Sequence, residues 1–590
     1  MIDQRLENLR DLMKTHELDA YLVPSSDEHN SEYVPDCWQR RAWISQFDGS
    51  AGEALIAKDK AYLWTDGRYF LQAEEQLSQS FELKKQQGFV PEIEKWIKLQ
   101  EKGLRLGVDP KLITASRAQN LRNFLNLHQG ELVFIDKNLV DLAREKEEVL
   151  PELPKAKIFT LDEKFTGYSA QNKIQTLKET LKEKNVDYLI LSALDEIAWV
   201  FNIRGEDVEF NPVAISYAII KQNEAVIYID SEKLTDEVSQ ILKNQLILIK
   251  DKKDFADDLL KLEGKVWLDD RTINQWVINS LADSVEYYFD RSPVLMPKAI
   301  KNQIEQNGMR LAHQKDAVAV IKFMHWLENN WQHGVTELSA AEKLYQFRLN
   351  QENIQGASFN TISGFAHHGA VIHYAANENT NIKIDDSNLY LFDSGGQYLE
   401  GTTDITRVLH FGNPTDEQKK HYTLVLKGHL ALGNAIFSEK TCGEDLDILA
   451  RQALWSEGLD YRHGTGHGVG CFLCVHEGPQ RISQAKSNVV LKPGMIVSNE
   501  PGFYKDNHYG IRIENLCLVV EKYDSEYGKF NAFEDLTLVP YNLKLIDQNL
   551  LTSIEKAQIN HYHQRVFDMI SPRIKDDQLR NWLKLQTKAI

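Results

Sequence analysis

Residues 55–66, LIAKDKAYLWTD, and residues 219–230, IIKQNEAVIYID, carry one pattern: an aspartate lies ten residues beyond an isoleucine, Asp66 after Ile56 and Asp230 after Ile220. What precedes them repeats as well. Leu6, Leu9, Leu12 and Met13 fall at helical spacing ahead of the apolar AYLV at 20–23, and Ile174, Leu177 and Leu181 do the same ahead of YLILS at 188–192. A chain of this kind spends half its length on two copies of one α/β unit. We place the copies at 1–156 and 157–301, joined by the proline-bearing, charged LPELPKAKIF at 150–159, with a third domain at 302–590. A chain of 590 residues is too long for a single core, and such a division relieves it. The residues that end the repeats differ, Asp66, Gly67 and Arg68 against Asp230, Ser231 and Glu232. No charged set is shared, so the copies read as structural modules that govern access and specificity.

Charge and cysteine content narrow the function. A formal net charge of −18 and a sequence pI near 5.5 argue against nucleic acid or an anionic membrane as the main partner, since both select a basic footprint. Five cysteines, an odd number, give no disulfide framework and fit a reducing compartment. Cys471 and Cys474 form a lone CxxC. A zinc site would need a second pair and a redox motif would open a helix after a strand, so these two read as incidental. The opening MIDQRLENLRDLMKTHELD has no apolar signal segment, and no run of about 18 apolar residues occurs, so a cytoplasmic chain that spans no membrane is expected.

The third domain opens with a long helical segment, from about Lys301 through MRLAHQKDAVAVIKFMHWLENNW, apolar on one face. LYLFDSGGQYLEGTTDIT at 389–406 then reads as a hairpin, one strand ending on Asp393 and the next resuming in TTDITRVLHF. Pairing brings Asp393 and Asp404 to neighbouring positions on a mostly apolar sheet. Two carboxylates so placed repel and raise one pKa unless cations neutralise them. Taken alone, Asp-Ser-Gly after an apolar run is equally a turn. A helix near 416–438 follows, and residues from Leu550 read as amphipathic helices packed as an appendix. In YRHGTGHGVGCFLCVHEGP the histidines His463, His467 and His476 alternate with glycines, which let backbone approach a ligand, so packing explains them poorly. MIVSNEPGFY sets Glu500 at the end of an apolar strand, before a Pro-Gly turn. GIRIENLCLVV puts Arg512 and Glu514 on one face of a strand and Ile511 and Ile513 on the other. On spacing alone, Arg512 and Glu514 are equally an outward salt pair on a half-exposed strand.

DSGGQYLEGTTDITR, HGTGHGVG, SNEPGFY and GIRIEN together resemble the dinuclear metal signatures of the creatinase/prolidase, or pita-bread, metallopeptidase family. The resemblance takes in both α/β modules and KNQIEQNGMRLAHQKDAVA at the start of the third domain. It implies two creatinase-like α/β domains followed by an α+β pita-bread catalytic domain, whose helices back a curved antiparallel sheet holding two metal ions. By position, Asp393 would chelate one ion, Asp404 and Glu514 would bridge both, and His467 and Glu500 would complete the other. Such a shell suits manganese, with zinc or cobalt as alternatives. The resemblance further implies that Glu500 takes a proton from water shared by the ions. His373 in VIHYA or His476 would donate to the oxyanion. His463 would shape the peptide pocket, and Arg512 would pair with carboxylates behind the ligands. The implied activity is release of an N-terminal residue from peptides with proline second, by a cytoplasmic homodimer with Trp455 as a candidate contact. Two alternatives stay open: a prolidase cleaving dipeptides, disfavoured by length and duplication, and a metal-free peptide- or histone-binding module, disfavoured by the full ligand set. Cys471 and Cys474 stand where related stretches carry small polar residues, and their oxidation is expected to disturb the site if either lies near the metals.

Overall fold

The computed structural model describes residues 2–86 and 92–590; Met1 and residues 87–91, within the span assigned to the first copy, lie outside them. It divides into two compact units, residues 1–162 with 168–295, and residues 163–167 with 296–590.

In the first unit the repeat is literal. One six-stranded sheet runs Phe81–Lys85, Ala61–Thr65, Glu53–Ala57, Ala20–Val23, Arg105–Val108, Glu131–Phe134. The other runs Ile247–Lys250, Ala225–Ile229, Ser216–Lys221, Tyr188–Leu191, Lys265–Leu268, Glu286–Phe289. Corresponding neighbours pair in the same sense, and even the register repeats, with Ile56 opposite Ala61 and Ile220 opposite Ala225. Alternation explains the sequence pattern. Tyr21, Ala54, Ile56 and Leu63 point into one core, while Ala20, Leu22, Leu55 and Trp64 point into another on the opposite face. Strands covered on both sides need apolar residues at every position, which is why they read as continuous apolar runs. Each fully buried Leu or Ile contributes about 2 kcal/mol. The aspartates after the repeats act locally: Asp66 pairs with Arg68 at 2.8 Å, and Asp230 accepts from the Glu232 N–H at 3.0 Å.

The long helix of the second unit is Gln303–Asn330, whose start is fixed by reciprocal capping: Asn302 Oδ1 accepts from the Glu305 N–H and Glu305 Oε2 from the Asn302 N–H. Its Ala317, Val320, Ile321 and Leu327 share a core with Tyr390 and Phe392. A three-stranded sheet, Ile362–Phe365, Tyr390–Ser394 and Ile405–Leu409, and a four-stranded one, Ile436–Ser438, Gly528–Asp535, Asn515–Ser525 and Ile496–Asn499, are antiparallel throughout. The expected class, duplicated α/β modules followed by an α+β domain, is the one observed.

Several local expectations change. The helix expected over 416–438 ends at Gly433, and Ile436–Ser438 pairs instead as an edge strand with Gly528–Asp535. GIRIENLCLVV is two strands: Tyr509–Arg512 pairs with Gly502–Lys505, Asn515–Ser525 pairs with Ile496–Asn499, and the chain changes sheet at Ile513 and Glu514. Arg512 and Glu514 are 2% and 1% exposed, which rules out an outward salt pair. The C-terminal helices Ser553–Ile570 and Asp577–Gln586 are no appendix. Ile559, Val566, Ile570, Leu579 and Leu583 join the core that holds Tyr390 and Phe392, because so small a sheet needs helical cover to exclude water.

Candidate metal centre

Asp393 lies in the Tyr390–Ser394 strand opposite Thr406, and Asp404 comes two residues before Thr406, on the side of the hairpin that Asp393 faces. Glu514 reaches the same place from the chain's change of sheet. Its N–H donates to the Thr406 carbonyl at 3.2 Å, and its Oε2 accepts from the Thr406 hydroxyl at 2.8 Å. Arg407, 1% exposed, donates to the carbonyls of Thr406 and Glu514 at 2.9 and 2.7 Å and so fixes both segments. Glu500 follows the Ile496–Asn499 strand and is tied by its N–H to the Thr465 carbonyl at 2.8 Å.

The glycines around His467 have a steric purpose. A Cβ on Gly466 would stand 2.0 Å from the Ser498 carbonyl, and one on Gly468 would stand 2.0 Å from the Glu477 carbonyl. That close approach lets the His467 N–H donate to Ser498 Oγ at 2.9 Å. Nδ1 lies 2.9 Å from the Gly468 carbonyl and so carries the proton. Nε2 then presents its lone pair toward Asp404 and Glu500, each 3.5 Å away. One ligand atom from each of Asp404, His467 and Glu514 lies within 4.8 Å of the other two.

Electrostatics decide what this arrangement can hold. Burial first, and then repulsion by neighbouring carboxylates, pushes Asp404, Glu500 and Glu514 well above the ordinary carboxylate range. Arg512 offsets part of this, with Nη2 at 2.5 Å and Nε at 3.2 Å from Asp393 Oδ2. The buried Oδ1 atoms of Asp393 and Asp404 find no hydrogen-bond partner among the described residues. Four carboxylates, an imidazole lone pair and orphaned buried oxygens match the needs of hard or borderline divalent cations. The donor set fits the group that the sequence implies.

A pH dependence follows. For the three acids the folded-state pKa lies above the unfolded one, so the metal-free folded protein binds more protons, and stability falls as pH rises from the ordinary values of 3.8 and 4.5 upward. After chelation, the Tm gained on adding a divalent ion is expected to be larger at about pH 8 than at about pH 5. Equal gains at the two pH values in a thermal melt would count against this charge balance.

The structure also places the other expected residues. His463 donates from Nδ1 to the Gly464 carbonyl at 2.7 Å and accepts at Nε2 from the Tyr504 hydroxyl at 2.9 Å, with Glu500 Oε2 3.9 Å from Nδ1. His476 stands edge-on to His467, ring centroids 4.3 Å apart, and its charge favours ionised Asp404. His373 is half-buried and follows Ile372, whose carbonyl lies 3.5 Å from Arg512 Nη1. Arg512 departs from expectation: it binds Asp393 itself rather than a carboxylate behind the proposed ligands, and both side chains are buried. Cys471 is buried beside Met309 and Val469, its thiol donating to the Glu400 carbonyl at 3.3 Å, a packing role.

Tyr504 escaped the sequence reading. Its hydroxyl accepts from Arg512 Nη1 at 2.7 Å and donates to His463, which links guanidinium, phenol and imidazole in a chain; burial pushes its pKa up to about 12. The signal was present in EPGFY, but only the register across the hairpin, Gly502 opposite Arg512 and Tyr504 opposite Gly510, brings the phenol to Arg512.

Comparison with known proteins agrees with this geometry. Residues 307–521 match Metallopeptidase family M24 and residues 529–590 the C-terminal region of that peptidase, while residues 5–145 and 149–305 each match a Creatinase/Prolidase N-terminal domain. A Laccaria bicolor protein described as a probable Xaa-Pro aminopeptidase P is 43% identical over 608 residues, spanning 100% of this chain and 93% of that protein. A Sordaria macrospora protein with the same description is 44% identical over 607 residues, spanning 99% and 98%. The crystal structure of X-prolyl aminopeptidase from Caenorhabditis elegans, described as a cytosolic enzyme with a di-nuclear active site, aligns over 100% of both chains with a TM-score of 0.95 and 34% identity. With both halves of the sequence accounted for, the chain belongs to metallopeptidase family M24.

Proposed function

We propose that the chain is a metalloaminopeptidase hydrolysing the bond between an N-terminal residue and a proline in second position. The observation that carries this reading is the convergence of Asp404, His467 and Glu514 within 4.8 Å, flanked by Asp393 and Glu500, in a chain whose full-length relatives are described as Xaa-Pro aminopeptidases. Asp393, Asp404, His467, Glu500 and Glu514 would hold two divalent cations, which we take to be manganese, in keeping with oxygen and imidazole donors. When bound, such ions supply a water acidic enough to give hydroxide near neutral pH.

The chain's own residues do the rest. Glu500 would take a proton from the attacking water and pass it to the leaving nitrogen as the bond from that nitrogen to the carbonyl carbon breaks. His373 or His476 donates an N–H toward the oxyanion, and His463, held by Tyr504, walls the peptide pocket. Arg512 keeps Asp393 in place. A proline nitrogen has no N–H, so the pocket recognises the ring by shape rather than by a backbone hydrogen bond.

We divide the chain into domains at 156 and 301, a reading supported by matches that end at 145 and 305. A homodimer is proposed through helix Gly443–Trp455, where Ile448 and Trp455, seven residues apart on one face, are 51% and 42% exposed. Trp455→Glu should elute as a monomer in size-exclusion chromatography, and an unchanged dimer would remove Trp455 from the interface. We place the enzyme in the cytoplasm, in keeping with the cytosolic Caenorhabditis elegans enzyme; no helix of the described residues is long and apolar enough to cross a membrane.

The direct test is hydrolysis of an Xaa-Pro-Xaa peptide by metal-stripped protein with manganese or zinc added back. Release of the N-terminal residue should return with manganese. Strict preference for a dipeptide would instead indicate a prolidase, and a protein with neither bound nor activating metal would indicate a binding module.

A further inference from the structure

Glu337 opens helix Glu337–Leu349 and is fully buried, a carboxylate that the proposed chemistry does not use. It is not needed to cap its own helix, since Thr336 and Ser339 already do so reciprocally. Its charge is spent on another segment. Oε1 accepts from the Phe365 N–H at 2.7 Å and from His368 Nδ1 at 2.9 Å, and Oε2 accepts from the Tyr374 hydroxyl at 3.0 Å and the Ile382 N–H at 3.3 Å. The Glu337 N–H also donates to the Ile382 carbonyl at 3.1 Å, and its own carbonyl accepts from Ser363 Oγ at 2.8 Å. One carboxylate therefore holds both ends and the middle of residues 365–382, the stretch that carries His373.

The opposite side of this stretch is held by backbone contact. A Cβ on Gly510 would stand 1.6 Å from the Gly369 carbonyl oxygen, so the two segments touch without side chains between them. Arg512, already bound to Asp393, reaches the Ile372 carbonyl, and the His368 ring stacks on Tyr374 with centroids 4.4 Å apart at 24°. His373 is thus bracketed: the residue before it is held by the Asp393 partner, and the residue after it by Glu337.

We infer that Glu337 is a positioning residue for His373, setting the imidazole against the metal ligands through Tyr374 and His368. The inference rests on the role given to His373 above. Glu337→Gln keeps the volume but turns one accepting oxygen into a donating amide, so one pair of donors loses its partner. Its kcat should fall about tenfold with KM within about twofold and metal content unchanged, because small displacements of a catalytic group act on turnover.

A double-variant cycle separates positioning from support of the fold. His373→Ala serves as reference, and Glu337→Gln/His373→Ala should turn over no more slowly than His373→Ala alone. Tyr374→Phe, which removes one hydroxyl and little volume, is run in the same cycle and decides the matter if Glu337→Gln does not fold. Losses that multiply while His373→Ala is itself impaired would overturn the inference and leave the role of His373 standing. Near-normal turnover in His373→Ala would overturn that role and the inference with it.

Discussion

Asp404→Ala is expected to abolish turnover, lowering kcat by roughly a thousandfold or more, because the proposed site loses one of the carboxylates that would hold the divalent ions. Two features make the outcome specific. The buried Oδ1 of Asp404 has no hydrogen-bond partner among the described residues and Oδ2 faces His467 at 3.5 Å, so its loss leaves the backbone ties of the hairpin in place. Its carboxylate is also raised by burial and by Asp393, so the metal-free variant should melt at a higher temperature than the metal-free parent at neutral pH. Kinetics at saturating manganese, with melting curves after chelation, read both effects. Near-normal turnover would refute the assignment of Asp404, and a lower metal-free Tm would refute the repulsion.

Arg407→Met is expected to cost the second unit at least about 3 kcal/mol, since several buried acceptors lose one donor together. The guanidinium binds the carbonyls of Thr406, Glu514, Val539 and Pro540, Asn515 Oδ1 and the Tyr562 hydroxyl. Burial and the Arg407 charge hold His429 and His563 down at about 3, so both imidazoles stay neutral. Neutral His563 can then accept from the Tyr541 N–H at 3.0 Å, and His429 joins the Asn499 carbonyl to the Tyr541 hydroxyl, each at 3.1 Å. The strand that ends at Asn499, before Glu500, and the strand that begins after Glu514 rest on this arrangement. The thermal transition that divalent metal shifts reports on this unit, and it should move down in Arg407→Met along with metal affinity. A transition within about 1 °C of the parent would show that the network is dispensable.

How far the sequence revealed the molecule depends on how local each cause is. The duplicated sheets were legible because two-sided burial writes itself into consecutive residues, as in Glu53–Ala57 and Ser216–Lys221. The proposed ligands were legible because their chemistry restricts residue type and their placement restricts neighbours, as with the glycines beside His467. Tyr504, Arg407 and Glu337 were not, since each acts through partners that only folding brings near: Arg407 sits in TRVL, where nothing marks its charge as buried. The change of sheet at Ile513 and Glu514 was equally hidden. GIRIENLCLVV has the apolar alternation of one long strand, and what interrupts it is the bond between Glu514 and Thr406, more than a hundred residues away.

The placement of helices Ser553–Ile570 and Asp577–Gln586 within the same core as Tyr390 and Phe392 bears on how the chain matures. Synthesis runs from the N-terminus, so both α/β modules have all their strands while the rest is still being made. The core beneath the proposed ligands closes only after Tyr562 and the helix that follows have emerged. Until then Arg407 has no Tyr562 hydroxyl to bind, and the strands that carry the proposed ligands lack their backing. A product cut short before Ser553 keeps every residue of the proposed ligand set and lacks Ile559, Val566, Ile570, Leu579 and Leu583 from the core behind it.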